Sequence, residues 1–266
     1  MGRSLKGAAL ACHPGPTAVV TSISYLLASQ LGSQPRAFGV AISVFLGQLV
    51  VGWSNDLIDL ASDGASGRLG KPLVAHLISE EALRRTTWIT AIVVIAVDLL
   101  GPFGVKGGLL QLFGVGCGVS YNFYFKRTLF SWLPYALAFA ALPGSILIAA
   151  NLTPPIWLLL GGSLLGVAAH FANVVDDIES DRSQGIRGLP QVLGERASRA
   201  SAVAALMIAA VILTTQTHQI WVIFISVVGA LLVFFAPKRI VFPALMFLAL
   251  LDVFALLVAV RGRFGN

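Results

Sequence analysis

The sequence predicts an all-α, polytopic membrane protein: a bundle of nine transmembrane helices that contains a duplicated four-helix unit. Three observations predict it. The 266 residues are 57% hydrophobic and only 11% charged, with a mean hydropathy of +0.86, where soluble domains carry about 25% charged residues. Apolar runs of about 20 residues recur along the chain, the length that crosses a hydrocarbon core about 30 Å thick, and the short alternating segments of an outer-membrane barrel do not occur. One acidic motif appears twice, 118 residues apart.

The expected spans, in order, are residues 14–32, 37–62, 83–102, 105–125, 130–150, 155–180, 195–216, 219–235 and 240–260. The connections "LGSQPR", "GPFG" and "NLTPP" are short and carry Gly or Pro breakers. The two long polar connections follow the second and sixth spans. We expect a single domain over residues 1–266, with pseudo-repeats at about 14–125 and 130–235 and a last helix at 240–260. The opening "MGRSLKGAALACHPGPTAVV" has no compact apolar segment followed by a small-residue cleavage site, so its apolar part reads as a retained helix. Cys12 and Cys117 form no framework, and no essential disulfide is expected.

Charge orients the bundle. The net charge is +6. In a soluble protein that would raise nucleic acid as a partner. Here the basic residues lie in short loops, where they read as topology signals and contacts to anionic lipid, and no nucleic-acid partner is expected. Arg3, Lys6, Arg68, Lys71, Arg84, Arg85, Lys126, Arg127, Arg182, Arg187, Arg196, Arg199, Lys238 and Arg239 fall on one side. Only Arg36, Lys106, Arg261 and Arg263 fall on the other. The positive-inside rule puts the first side, with both long loops, in the cytoplasm of a cell inner or plasma membrane.

The repeated motif carries the chemistry. "NDLIDLASDGASGRLGKPL" from Asn55 and "NVVDDIESDRSQGIRGLPQ" from Asn173 match at Asn55/Asn173, Asp59/Asp177, Asp63/Asp181, Gly67/Gly185, Gly70/Gly188 and Pro72/Pro190. The copies lie four spans apart, so both emerge on one membrane face. Positions i, i+4 and i+8 form one helical stripe. Asn55, Asp59 and Asp63 share the first stripe; Asn173, Asp177 and Asp181 share the second. Each stripe sits at a helix C-terminus, whose dipole already presents negative charge, so the acids need a cationic partner. Mg²⁺ takes oxygen ligands and bridges carboxylates to substrate phosphates. Two facing stripes therefore suit Mg²⁺ and a diphosphate; the plainer reading is solvation of two helix ends. Arg68, Lys71, Arg187, Lys126 and Arg127 lie on the same face, where cations stabilise a leaving diphosphate or simply set topology.

"NDLIDLASD", "KPL" at 71–73, "YNFYFK" and "NVVDDIESDRSQGIRGLP" together resemble the UbiA superfamily of intramembrane prenyltransferases, over nearly the whole chain. The resemblance implies a helical bundle with a central cavity, in which an isoprenyl diphosphate binds through Mg²⁺ at the acidic motifs and its tail lies in an apolar tunnel. It implies a first metal–diphosphate motif of Asn55, Asp56, Asp59 and Asp63. It implies a second of Asp177 and Asp181, with Asn173 beside them, and diphosphate contacts from Lys126 and Arg187. Tyr121 would match the family tyrosine, although it stands five residues before Lys126 where many members have four. Lys71 stands where many members have Arg, which keeps the charge and loses a bidentate fork.

The expected reaction is transfer of an isoprenyl group to a small acceptor, aromatic or quinone-like, with membrane lipid around the site. A terpene cyclase of the same superfamily shares the ionisation step. A cation transporter is the third reading, disfavoured because transport acids typically sit near mid-membrane. Phe123, Tyr124, Phe45 and Trp53 are candidates to face a carbocation, although packing and interfacial anchoring are the commoner roles. His170 reads as a buried, hydrogen-bonded histidine or as an acceptor contact. Asp98 is expected to be solvated near the non-cytoplasmic end, and His13 and Asp252 have no assigned role.

Overall fold

The computed structural model describes residues 2–218 and 220–260, without the side chains of 217 and 252–260. The Asp252 side chain, Arg261 and Arg263 thus lie outside the described residues. Among the described residues there are helices and no strands.

A long helix stands at each expected span: α2 (Pro14–Leu31), α3 (Gln34–Ala65), α4 (Glu80–Leu100), α5 (Gly104–Phe123), α6 (Leu133–Ala149), α7 (Ile156–Val174), α10 (Glu195–Thr217), α11 (Trp221–Phe235) and α12 (Lys238–Val260). Three short helices were not expected: α1 (Gly2–Ala11), α8 (Ile178–Ser183) and α9 (Leu189–Leu193). By length and apolar composition, Gln34–Ala65, Ile156–Val174 and Glu195–Gln216 are candidate membrane spans.

Local chemistry sets the ends. Proline occupies the first turn of α2, α3, α6 and α9, where its missing N–H costs nothing. Ser79 caps α4 by accepting from the Ala82 N–H, and Glu80 and Glu81 follow in the first turn. The matched glycines Gly67 and Gly185 both have positive φ, +64° and +76°, a conformation glycine adopts without strain. The repeat is visible in the backbone there. Arg68 N–H donates to the Asp63 carbonyl and Ile186 N–H to the Asp181 carbonyl, each at 3.0 Å and each five residues on.

Six helices close a ring: α2 packs on α3, α3 on α5, α5 on α6, α6 on α7, α7 on α12 and α12 on α2. Helices α4, α10 and α11 pack outside it, on α3, α7 and α10 respectively. Large apolar side chains such as Trp88, Ile92 and Phe224 are left exposed on the outer helices, as lipid-facing residues are. In lipid such a bundle is held by close packing and interhelical hydrogen bonds more than by the hydrophobic effect. At Gly52 the chain approaches tightly from outside α3: a Cβ there would lie 2.8 Å from the Cys12 backbone. Around this seat Trp53 Nε1 donates to the Ala8 carbonyl (2.8 Å) and Thr17 Oγ1 to the Cys12 carbonyl (2.7 Å). Together they fix the α1–α2 corner against the bundle.

Two expectations are corrected. Asp98 is not solvated: it is fully buried, with the Ser43 hydroxyl donating to it, because α4 packs this face on α3. The second acidic stripe does not lie on one continuous helix. Helix α7 ends at Val174, and a turn in which Asp177 N–H donates to the Val174 carbonyl (3.0 Å) leads into α8.

Candidate active site

The ring encloses a cavity of about 520 Å³. From α3 it is lined by Val44, Gln48, Val51, Gly52, Asn55 and Asp59, mostly at steps of three and four, which is one face of the helix. The acids lie at the C-terminal end of that face and the apolar residues below. Asn55, Asp59, Arg68, Lys71, Tyr121, Lys126, Asn173, Asp177 and Asp181, all expected from the sequence, line this one cavity.

The polar end is a network of ion pairs. Lys126 Nζ lies 2.6 and 2.7 Å from the two Asp59 carboxylate oxygens. Arg68 Nη2 donates to Asp177 at 2.8 Å and to Ser180 Oγ at 3.1 Å, while Nη1 reaches Asp63 at 3.4 Å. A single guanidinium therefore joins the two motifs. Gln184, after the second motif, donates to Ser66 Oγ, after the first, at 2.9 Å. Gln191 Nε2 donates to Asp181 at 2.7 Å. Burial pushes the Asp181 carboxyl above its ordinary range and the neighbouring Asp177 charge adds to the rise, against the Gln191 hydrogen bond and the Lys126 and Arg68 charges.

Asp56, Asp63 and Arg187 are not among the cavity-lining residues. Asp56, 2% exposed, accepts from Lys71 Nζ at 2.8 Å, and His13 Nε2 stands 3.5 Å from the same oxygen. Asp63 is buried, with Lys71 Nζ at 3.9 Å in addition to Arg68. Arg187 is exposed on the connection between α8 and α9.

Asn122 was not anticipated. It is buried on α5, donates to the Val51 carbonyl (2.9 Å) and Ser54 Oγ (3.0 Å), and accepts from Asn55 at 3.3 Å. It thereby orients the Asn55 amide, which also donates to Asp59 at 3.1 Å. Its only sequence signal was its place beside Tyr121. The cavity aromatics also differ from the candidates. Tyr121, Tyr135, Phe139 and Phe242 line it, whereas Phe123, Tyr124 and Phe45 are exposed and Trp53 is buried against α1. Tyr121 meets Tyr135 edge-on at 5.0 Å, and Asn173 Nδ2 lies 3.5 Å from the Tyr135 hydroxyl. His170 is buried behind them, 3.0 Å from Ser131 Oγ, which also accepts the Leu189 N–H at 3.1 Å.

The donor set suits a hard cation. Among the described residues no three His, Cys, Asp or Glu side chains are placed to hold a metal by themselves. Mg²⁺ does not require such a cage, since it is usually bound by one or two carboxylates with substrate phosphates and water. All the candidate donors are oxygens, from Asp59, Asp177, Asp181 and the amides of Asn55 and Asn173. At this end of the bundle the carboxylates of Asp56, Asp59, Asp63, Asp177 and Asp181 meet only Arg68, Lys71 and Lys126 as formal cations among the described residues, an excess of two negative charges.

The pattern of the UbiA prenyltransferase family matches residues 17–259. The chain belongs to this family. UbiA proteins are integral membrane proteins, and the apolar helices of the bundle accord with that. A UbiA homolog from Archaeoglobus fulgidus bound to DMAPP and Mg²⁺ superposes with a TM-score of 0.73 at 16% identity, covering 94% of this chain and 99% of that one. The same organism's UbiA homolog bound to GPP and Mg²⁺ gives 0.67 at 19% identity, covering 95% and 99%. The apo UbiA homolog from Aeropyrum pernix K1 gives 0.71 at 16%, covering 91% and 96%. At these identities the likeness is one of fold. A lycopene elongase/hydratase from Corynebacterium glutamicum is 28% identical over 88 residues, 33% of this chain, and the match spans 31% of that relative's length.

Proposed function

We propose that this chain transfers an isoprenyl group from an isoprenyl diphosphate to a small aromatic or quinone-like acceptor within the membrane, releasing diphosphate, with Mg²⁺ as cofactor. The observation that carries this reading is the meeting of both acidic motifs, joined by Arg68, at the polar end of an otherwise largely apolar cavity. Fold relatives bound to DMAPP or GPP with Mg²⁺ support it.

In this reading Asn55, Asp59, Asp177 and Asp181 hold the metal, with Asp63 and Asp56 fixing the cations behind them. Bound Mg²⁺ supplies neutralisation of the diphosphate charge. Lys126, Arg68 and Lys71 bind the diphosphate oxygens, with Tyr121 and Asn173 beside them. As the allylic C–O bond breaks, its electron pair leaves with the diphosphate, and these cations offset the charge that develops there. The allylic carbocation lies against Tyr121 and Tyr135, whose ring faces favour a cation, in a cavity whose apolar walls exclude water. A nucleophilic carbon or oxygen of the acceptor then forms the new bond, and the acceptor loses a proton.

The membrane arrangement belongs to the same proposal: nine spans, a duplicated four-helix unit, and the site facing the cytoplasm. The topology is supported by the basic loops that surround the acids. A second reading, a polyene acceptor, draws on the name of the lycopene elongase/hydratase relative. The test is incubation of the purified full chain with labelled geranyl diphosphate and Mg²⁺, with and without candidate acceptors. Mg²⁺-dependent, acceptor-dependent diphosphate release is the expected result. A cyclic terpene formed with no acceptor present would replace transfer with cyclisation.

A further inference from the structure

Below the acids the cavity lining is largely apolar; Thr17 on α2 is already bonded to the Cys12 carbonyl, and diphosphate binding does not explain Gln48 on α3 or Gln111 on α5. Gln48 stands seven residues before Asn55 on the same helix, about 10 Å deeper at 1.5 Å per residue. Gln111 stands ten residues before Tyr121, about 15 Å deeper by the same rise. Gln111 reaches across the α3–α5 contact to the turn that carries Gln48: a Cβ on the adjacent Gly47 would lie 4.0 Å from Gln111 Nε2.

Polar side chains at this depth are costly, and helix–helix adhesion is their ordinary use. Adhesion accounts for half of one amide here. Ser145 Oγ of α6, which donates to the Leu142 carbonyl at 2.8 Å, shares that proton with Gln111 Oε1 at 3.3 Å. Among the described residues Gln111 Nε2 makes no hydrogen bond, and the Gln48 amide makes none either. Both side chains border the cavity. A hydrocarbon tail laid along them would leave the amides unsatisfied. Val20 of α2, Leu142 of α6 and Met246 of α12 also line the cavity with no hydrogen-bonding side-chain group, and these residues suit the tail.

We infer that Gln48 and Gln111 form an acceptor subsite that hydrogen-bonds an oxygen function, a carbonyl or hydroxyl, on an acceptor lying along the α3–α5 wall. This rests on the prenyltransferase reading and deepens it, because it selects oxygenated acceptors over pure hydrocarbons such as polyenes. The amides specify the acceptor and take no part in ionising the diphosphate.

The test uses the full chain in lipid nanodiscs with Mg²⁺ and three probes: geranyl diphosphate, menadione, and 2-methylnaphthalene, which has the same ring without oxygen. Wild type is expected to bind menadione about tenfold or more tighter than 2-methylnaphthalene, the order of one to two amide hydrogen bonds. Gln48→Met and Gln111→Met, which keep volume and remove the amide, are expected to erase that preference while geranyl diphosphate binding stays within about twofold. Equal binding of the two ring probes by wild type overturns the inference with no variant needed. So does a preference that survives both substitutions, or a loss confined to geranyl diphosphate. If wild type fails to bind geranyl diphosphate in a Mg²⁺-dependent way, the prenyltransferase reading itself falls, a result separate from any of these.

Discussion

Arg68, five residues beyond Asp63 of the first acidic motif, donates to Asp177 of the second at 2.8 Å. The guanidinium also reaches Asp63 and Ser180, so one side chain sets the spacing of two motifs 118 residues apart in sequence. Its planar fork lets it serve both at once, which a lysine ammonium does poorly. Arg68→Gln is expected to lower turnover of geranyl diphosphate by about 10- to 100-fold, with Arg68→Lys recovering only part of it. Steady-state diphosphate release measures both. Equal activity of the Lys variant and wild type would deny the bridging role.

Lys126 holds both oxygens of Asp59 and, in the proposed reaction, shifts to the leaving group. Removal of one preorganised charge at a developing anion costs about 10²- to 10³-fold in rate. Lys126→Met is therefore expected to lose that much in kcat, with a smaller change in geranyl diphosphate binding. Parallel single-turnover and binding assays separate the two effects.

Asp56 and Asp59 stand three residues apart but face different partners. Asp56 is buried behind Lys71 and His13, which line the cavity, whereas Asp59 itself borders it. Asp56→Ala leaves the Lys71 ammonium without its main partner and is expected to destabilise the protein by roughly 1.5–3 kcal/mol. Asp59→Asn is expected to abolish turnover with little loss of stability. Detergent-solubilised thermal unfolding read beside activity distinguishes them.

Chelation offers a further probe of the same site. With an excess of two carboxylates at the polar end, EDTA is expected to suppress geranyl diphosphate binding, and added Mg²⁺ to restore it. Asp177→Ala should blunt that restoration. Diphosphate binding insensitive to chelator would remove the metal from the proposal.

The Gly52 seat gives a stability prediction away from the acids. A methyl group at this position would stand 2.8 Å from the Cys12 backbone, so Gly52→Ala must push the α1–α2 corner outward and strain the Trp53–Ala8 hydrogen bond. The expected cost is about 1–3 kcal/mol. A thermal unfolding curve unchanged from wild type would mean that the corner yields freely.

The acids were legible because their chemistry is rare in an apolar chain and because they repeat. The helices were legible because lipid demands long apolar runs. Rotation of those helices was not. In α6 every face is apolar, so no pattern marks Tyr135 and Phe139 as cavity residues and Leu137 as outward-facing. Phe123 and Tyr124, at the end of α5, are exposed, in line with the commoner role as interfacial anchors. The turn after Val174 was hidden because it preserves the four-residue spacing of Asn173, Asp177 and Asp181. Helix α1 escaped because ten residues with two glycines carry little helical signal of their own. Its position comes from Trp53 and Gly52, far along the chain.

The Arg68–Asp177 and Ser66–Gln184 contacts have a consequence for biogenesis. A nascent chain that has inserted only its first four long helices displays one acidic patch with Arg68 already beside it and nothing opposite. The second wall of the site arrives only when residues beyond Val174 emerge and dock. In the proposed reaction diphosphate capture therefore waits for the second motif, and a chain stalled before α8 carries the first set of charges without the second.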